Sequence, residues 1–195
     1  MRKLIVSTMV GLDGCFDGPN RDLGRLPMDD FFSVHNAERM RAADVLLFSG
    51  RLTYQDFLGF WPARLDSDET VLRVIAERCE VVAKVVVSDR IAENPEGRWA
   101  ASTTVVRRVD AADRLTAVKR EGGGDIVMFG GRALANSLFA AGLVDELHVM
   151  VAPVMVPDGI RAFDEDVLPA LRLVDVRRFD GSQNTLITYE RVPAR

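Results

Sequence analysis

Three short stretches carry groups suited to holding phosphate. They are Gly50-Arg51-Leu52-Thr53, Ser88-Asp89-Arg90 and Gly130-Gly131-Arg132, and each follows an apolar run. Glycine between a strand end and a helix start exposes backbone N–H groups at the positive end of the helix dipole. Hydroxyls at Thr53 and Ser88 can donate, and guanidinium groups can grip a phosphate through paired, charge-assisted bonds. Arg51 and Arg90 suit a terminal phosphate monoester. Gly130 and Gly131, with Arg132 beside them, suit a pyrophosphate. A ligand with both features is NADPH. Each stretch alone also reads as a turn, a solvated arginine or a serine cap. Their recurrence at three strand ends favours the ligand.

Hydride transfer from such a cofactor to a C=N or C=O group also needs a proton for the partner atom. A carboxyl group in an apolar cleft can keep or relay it near neutral pH. Asp13 and Asp29 are the candidates. The competing readings are a local turn residue for Asp13 and a helix N-cap for Asp29. Phe57 and Trp61, with Phe60 between them, could wall a pocket for a flat heteroaromatic substrate or could fill the core. His35 is expected on an exposed helix face and His148 in a strand starting at a sheet or subunit surface. Neither has a second ligand at metal spacing, so no metal is expected. Asp145 and Glu146 are expected to hold the turn into that strand.

Those residues need elements to position them. Lys3 to Val10 reads as a first strand, running into an irregular loop, Gly11 to Pro19. Asp29 or Asp30 caps a helix whose apolar side holds Phe31, Val34, Ala37, Met40, Ala42 and Ala43. Val45–Phe48, Val81–Val87 and Thr103–Val106 read as strands, with a helix from Asp68 to Cys79 and another capped by Asp110. Ile91 to Ala101 reads as mostly loop, and Gly122-Gly-Gly124 as a turn. Ile126 to Phe129 is continuously apolar, as in a strand buried on both faces. Leu134, Leu138 and Ala141 then recur at helical spacing, and Gly142 stands where a helix ends. Leu147 to Val154 reads as a central strand or an interface, and 152–163 as a loop. Leu171–Phe179 and Asn184–Arg191 alternate as a terminal hairpin about Asp180-Gly-Ser-Gln. The pattern is α/β: a mostly parallel sheet with helices on both faces and an antiparallel C-terminal hairpin.

The chain has 195 residues, 48% of them hydrophobic, with a net charge of −4. One α/β domain spanning 1–195 is expected. No basic stripe with interleaved aromatics argues for nucleic acid, and no apolar run approaches a membrane span. Cys15 and Cys79 form no metal-type or redox pair, which suits a reducing cytoplasm. The dinucleotide fingerprint G-x-G-x-x-G is absent.

Several runs together resemble a known family. They are Ser7-Thr-Met-Val-Gly-Leu-Asp-Gly14, Leu46-Leu-Phe-Ser-Gly-Arg-Leu-Thr-Tyr54, Lys84-Val-Val-Val-Ser88, Phe129-Gly-Gly-Arg-Ala-Leu-Ala-Asn-Ser-Leu138, Gly142-Leu-Val-Asp-Glu-Leu-His148 and Ala152-Pro-Val154. They look like the dihydrofolate reductase-like family, and within it the branch of the riboflavin-biosynthesis reductase domain. The resemblance implies the three-layer dihydrofolate reductase fold, NADPH, a small heterocyclic substrate and a homodimer. By position it puts Gly50, Arg51 and Thr53 in the cofactor-phosphate segment, Ser88 near the 2′-phosphate, and Gly130 and Gly131 under the pyrophosphate. Asp13 matches the acid of the loop beside nicotinamide and substrate. Two departures stand out: Pro157-Asp158-Gly159 replaces the family's Gly-x-Gly, and Leu26-Pro27-Met28-Asp29 echoes true dihydrofolate reductases at a longer spacing. No zinc-bearing deaminase half is expected. A dihydrofolate reductase and a non-catalytic NADPH binder are the alternatives.

Overall fold

A computed structural model describes residues 1–18, 24–90, 97–164 and 170–192. Pro19, and 91–96 of the expected 91–101 loop, lie outside the described residues. Strands β1 (Leu4–Val10), β3 (Ala43–Phe48), β4 (Ala83–Val87), β5 (Thr103–Val106), β6 (Asp125–Phe129), β7 (Glu146–Val151), β9 (Leu171–Arg178) and β10 (Thr185–Arg191) form one sheet. Its order is β5-β4-β3-β6-β1-β7-β10-β9. The six strands from β5 to β7 run parallel, and β10 and β9 return antiparallel. This is the expected mixed α/β sheet with its terminal hairpin.

The helices are α1 (Asp30–Ala42), α2 (Arg51–Phe60), α3 (Thr70–Val81), α4 (Ala111–Arg120) and α5 (Arg132–Ala140). Strand alternation sorts them onto two faces. Leu46, Phe48, Val86 and Val127 pack with Met40 of α1, Tyr54 of α2 and Ile75 of α3. Val45, Leu47, Val85, Ile126 and Met128 pack with Leu115 of α4 and Leu138 of α5. The continuous apolar runs in β3, β4 and β6 follow from this, because both of their faces are covered.

The structure corrects several boundaries. Helix α3 starts at Thr70 and keeps Val81, so β4 begins at Ala83. Ala43 opens β3 and Ala42 is exposed, so neither belongs to the apolar side of α1. Asp110 makes no side-chain cap; it pairs with Arg107 at 2.8 Å. Two stretches expected to be plain loops contain strands β2 (Cys15–Asp17) and β8 (Ile160–Arg161), which pair antiparallel. Gly159 permits that contact, since a Cβ there would lie 2.7 Å from the Cβ of Cys15. Strand β7 lies between β1 and β10. It is therefore a central strand, and its ladder edges are not available to a second subunit.

The exposed face expected for His35 is not found, and His148, in the expected strand β7, is itself buried. His35 is 2% exposed and His148 4%. Their rings lie 5.3 Å apart between α1 and the sheet. Ser7 lies 3.4 Å from His35 Nε2, and Glu146 3.0 Å from His148 Nε2. The face of α1 that carries Phe31 also carries His35, so the polar ring goes under with the apolar ones. Burial, the neighbouring His148 and Arg39 push His35 down to about 3, so it is neutral when folded.

Candidate active site

Every parallel strand delivers its carboxyl end to the same sheet edge. Phe48 is level with Val86, which brings Ser49-Gly50 beside Ser88. At the neighbouring junction a Cβ on Gly131 would lie 2.5 Å from the Cβ of Ser49. The ends of β4, β3 and β6 therefore meet. Helix α2 leaves β3 toward one face, while α5 leaves the adjacent β6 toward the other. Such a divergence opens a crevice, the usual ligand site of an open α/β sheet.

Both helices face it with uncapped N-termini. Their first-turn N–H groups have no intrahelical acceptor. Gly50 is instructive. Its φ of 164° is extended backbone that any residue adopts, and a Cβ there would meet nothing within 4 Å. Neither conformation nor crowding requires glycine, but the open ground suits the close approach of a ligand. Gly130 likewise has open space, and its φ of 64° favours glycine. Gly131, with φ 82°, is needed for packing on Ser49. These cradles fit a phosphorylated ligand of the NADPH kind.

Arg51 and Arg90 are exposed and have no ion-pair partner among the described residues. Thr53 Oγ1 lies 3.5 Å from Ser49 Oγ. Ser88 is buried, and its Oγ accepts the Arg90 N–H at 3.1 Å, a local turn bond of the kind a capping serine makes. Arg132 pairs with Asp164. Beside it, Gly130, Gly131, Thr8, Phe16, Ala162 and Phe163 line a depression at the head of α5. Nothing in the sequence singled out Thr8, Phe16 or Asp164; they reach the site through the β2–β8 ribbon and the course of β1.

The two acids are placed differently from these strand-end groups. Asp13 accepts from Val156 N at 2.7 Å and from Cys15 N at 3.2 Å. The Val156 bond chiefly holds its carboxyl below the ordinary value, so it is ionised at neutral pH. It clamps the loop after β1 to the loop after β7. In Pro157-Asp158-Gly159, Asp158 takes φ 56°, a left-handed conformation in the turn that leads into β8. Asp29 caps α1 through Phe32 N at 3.1 Å and accepts from Ser182 Oγ at 2.5 Å. Burial raises its carboxyl, but bonds from Ser182, Phe32 and Asn184 outweigh that and hold it low. Two ionised hydrogen-bond acceptors make poor resident proton donors.

Phe57 packs edge-on to Phe48 at 5.2 Å and stacks on Phe129 at 6.3 Å, next to Gly130. Trp61 leans on Phe57 at 6.2 Å and on Phe60 at 5.0 Å. Both are half-buried, so core filling accounts for their inner edges, and their outer edges remain accessible.

This arrangement defines the class: a dihydrofolate reductase-like α/β fold. A dihydrofolate reductase from Enterococcus faecalis, complexed with NADP(H) and RAB-propyl, superposes with a TM-score of 0.60 at 15% identity, covering 96% of each chain. More particularly, residues 2–184 match the RibD C-terminal domain model, and the chain belongs to that family. A putative riboflavin biosynthesis protein from Shewanella sp. PV-4 superposes with a TM-score of 0.71 at 21% identity, covering 98% of this chain and 99% of that one. A diaminohydroxyphosphoribosylaminopyrimidine deaminase/5-amino-6-(5-phosphoribosylamino)uracil reductase from Thermotoga maritima gives 0.66 at 16% identity, covering 98% of this chain and 57% of its own. No curated protein matches the chain.

Proposed function

We propose that this chain is an NADPH-dependent oxidoreductase that reduces a small pyrimidine-like heterocycle in riboflavin-type metabolism. The observation that carries the reading is the pair of uncapped helices, α2 and α5, diverging from adjacent strand ends over open glycines. Family membership and the reductase named among its structural neighbours support it. Gly50, Thr53, Ser88, Gly130, Gly131 and Arg132 would hold the phosphates. Arg51 and Arg90, exposed and without an ion-pair partner among the described residues, would favour a cofactor with an extra phosphate monoester over NADH.

NADPH supplies the hydride when bound. The chain binds and orients it, and the clamped rim limits water around the reacting atoms. Phe57 and Trp61 would meet the flat substrate by their outer edges. Asp13 and Asp29 fix the rim and α1, and the proton comes from solvent water. Asp29, the acid that dihydrofolate reduction would need, is engaged as the α1 cap. The reading includes a homodimer and a cytoplasmic setting, the former checked by light scattering.

A nicotinamide-fluorescence titration with NADPH and NADH tests the cofactor reading. NADPH should bind at least about tenfold tighter, roughly 1.4 kcal/mol, and Arg51→Ala should erase the preference. No binding of either nucleotide would falsify the proposal. For the acids, Asp13→Asn should lower thermal stability while turnover per folded molecule persists; loss of turnover in a fully folded variant would make Asp13 the proton donor.

A further inference from the structure

The depression at the head of α5 has an acid of its own chain bound at its rim. Asp164 accepts from the Arg132 guanidinium through one carboxylate oxygen, and from Asn136 Nδ2 through the other at 2.6 Å. Arg132 and Asn136 stand four residues apart, on the same side of the helix. Asn136 is only 4% exposed, and its Oδ1 has no hydrogen-bond partner among the described residues. Among the described residues its one hydrogen bond runs from the donor end to Asp164. A guanidinium, a buried amide donor and an uncapped helix start are the groups that bind a phosphate. A carboxylate holds the first two of them here. The other two arginines of the crevice, Arg51 and Arg90, have no such guard among the described residues.

We infer that Asp164 determines the affinity of the α5 phosphate site: its carboxylate fills the Arg132–Asn136 grip, and the phosphate of an incoming ligand displaces it. The inference rests on the NADPH reading above. Arg132 and Asp164 are each 41% exposed, so water screens their attraction and exchange is not prohibitive. The carboxylate still places a negative charge at the mouth of the site. A pyrophosphate brings more charge than the group it replaces, and it can also take the free N–H groups of α5.

The test titrates NADPH, and separately inorganic pyrophosphate, into the wild type, Asp164→Asn, Asp164→Ser and Asp164→Asn/Arg132→Gln at low ionic strength. Thermal melting of each protein reports its fold. Asp164→Asn should bind NADPH about fivefold tighter, with the gain gone in the double variant and the same order for pyrophosphate. Unchanged or weaker NADPH binding by a folded Asp164 variant, beside a wild type that binds, overturns the inference and leaves the reductase reading standing. A gain for NADPH without one for pyrophosphate overturns the assignment to the head of α5. No NADPH binding by any of the four proteins overturns both.

Discussion

The two edges of the central sheet are built on opposite terms. At the amino edge, several charges are paired. Lys119, its side chain 6% exposed, donates to the Leu143 carbonyl and to Asp145, which also accepts the Leu4 N–H at 2.7 Å. Glu146 accepts from Lys3 at 2.6 Å and meets His148. The His148 and Lys3 bonds hold its carboxyl down at about 2 against the effect of burial. At the carboxyl edge, two helix starts go uncapped, and Arg51 and Arg90 project without partners among the described residues. Charged groups paired in this way contribute stability. An edge that leaves its polar groups open holds donors ready for a ligand, and the chain forgoes part of its stability there.

Substitutions should separate the two. The largest effect belongs to Gly131→Val, which joins the edges' concerns by forcing a side chain into Ser49 at a φ of 82°. It should cost about 3 kcal/mol or more and abolish NADPH binding, read by chemical denaturation and titration. Lys119→Met should cost about 2 kcal/mol by leaving Asp145 without its cation. Its NADPH affinity should match the wild type; a large loss of affinity would mean the edges are coupled. Arg51→Ala should do the reverse, weakening NADPH about tenfold while stability moves by no more than about 0.5 kcal/mol.

The smallest effect at neutral pH is the titration of His35. Its folded value is depressed to about 3, so below the unfolded value of 6.5 the unfolded chain binds a proton that the folded chain refuses. Stability should therefore fall as pH drops from 6.5 toward 3, by at most about 1.4 kcal/mol per pH unit. His35→Phe should flatten that slope between pH 6.5 and 5 in urea titrations. Glu146 acts in a lower window. Its contribution is present above 4.5 and is lost as pH falls toward 2.

Much of this was legible in the residues. The apolar runs of β3, β4 and β6 announced strands covered on both faces, because burial on both sides removes alternation. The glycines at 50, 130 and 131 marked strand-to-helix turns, because few other residues leave that backbone open. Asp29 as a cap and the hairpin about Asp180 were local choices, decided within a few residues. What failed was decided at a distance. His35 went under with Phe31 because the packing of α1 on β1 and β7 takes in its whole inner face, polar ring included. Asp13 offers the same carboxyl whether it stores a proton or clamps Val156, and only the return of the chain 143 residues later selects the clamp. Ribbon β2–β8 and the Arg132–Asp164 pair are likewise contacts between segments far apart in sequence, with no periodicity to announce them. The sequence alone determined the fold class and the strand ends that could hold phosphate. The tertiary structure decided that those ends share one crevice, and which acids and arginines there are engaged, since strand order and crossover side set what each end faces.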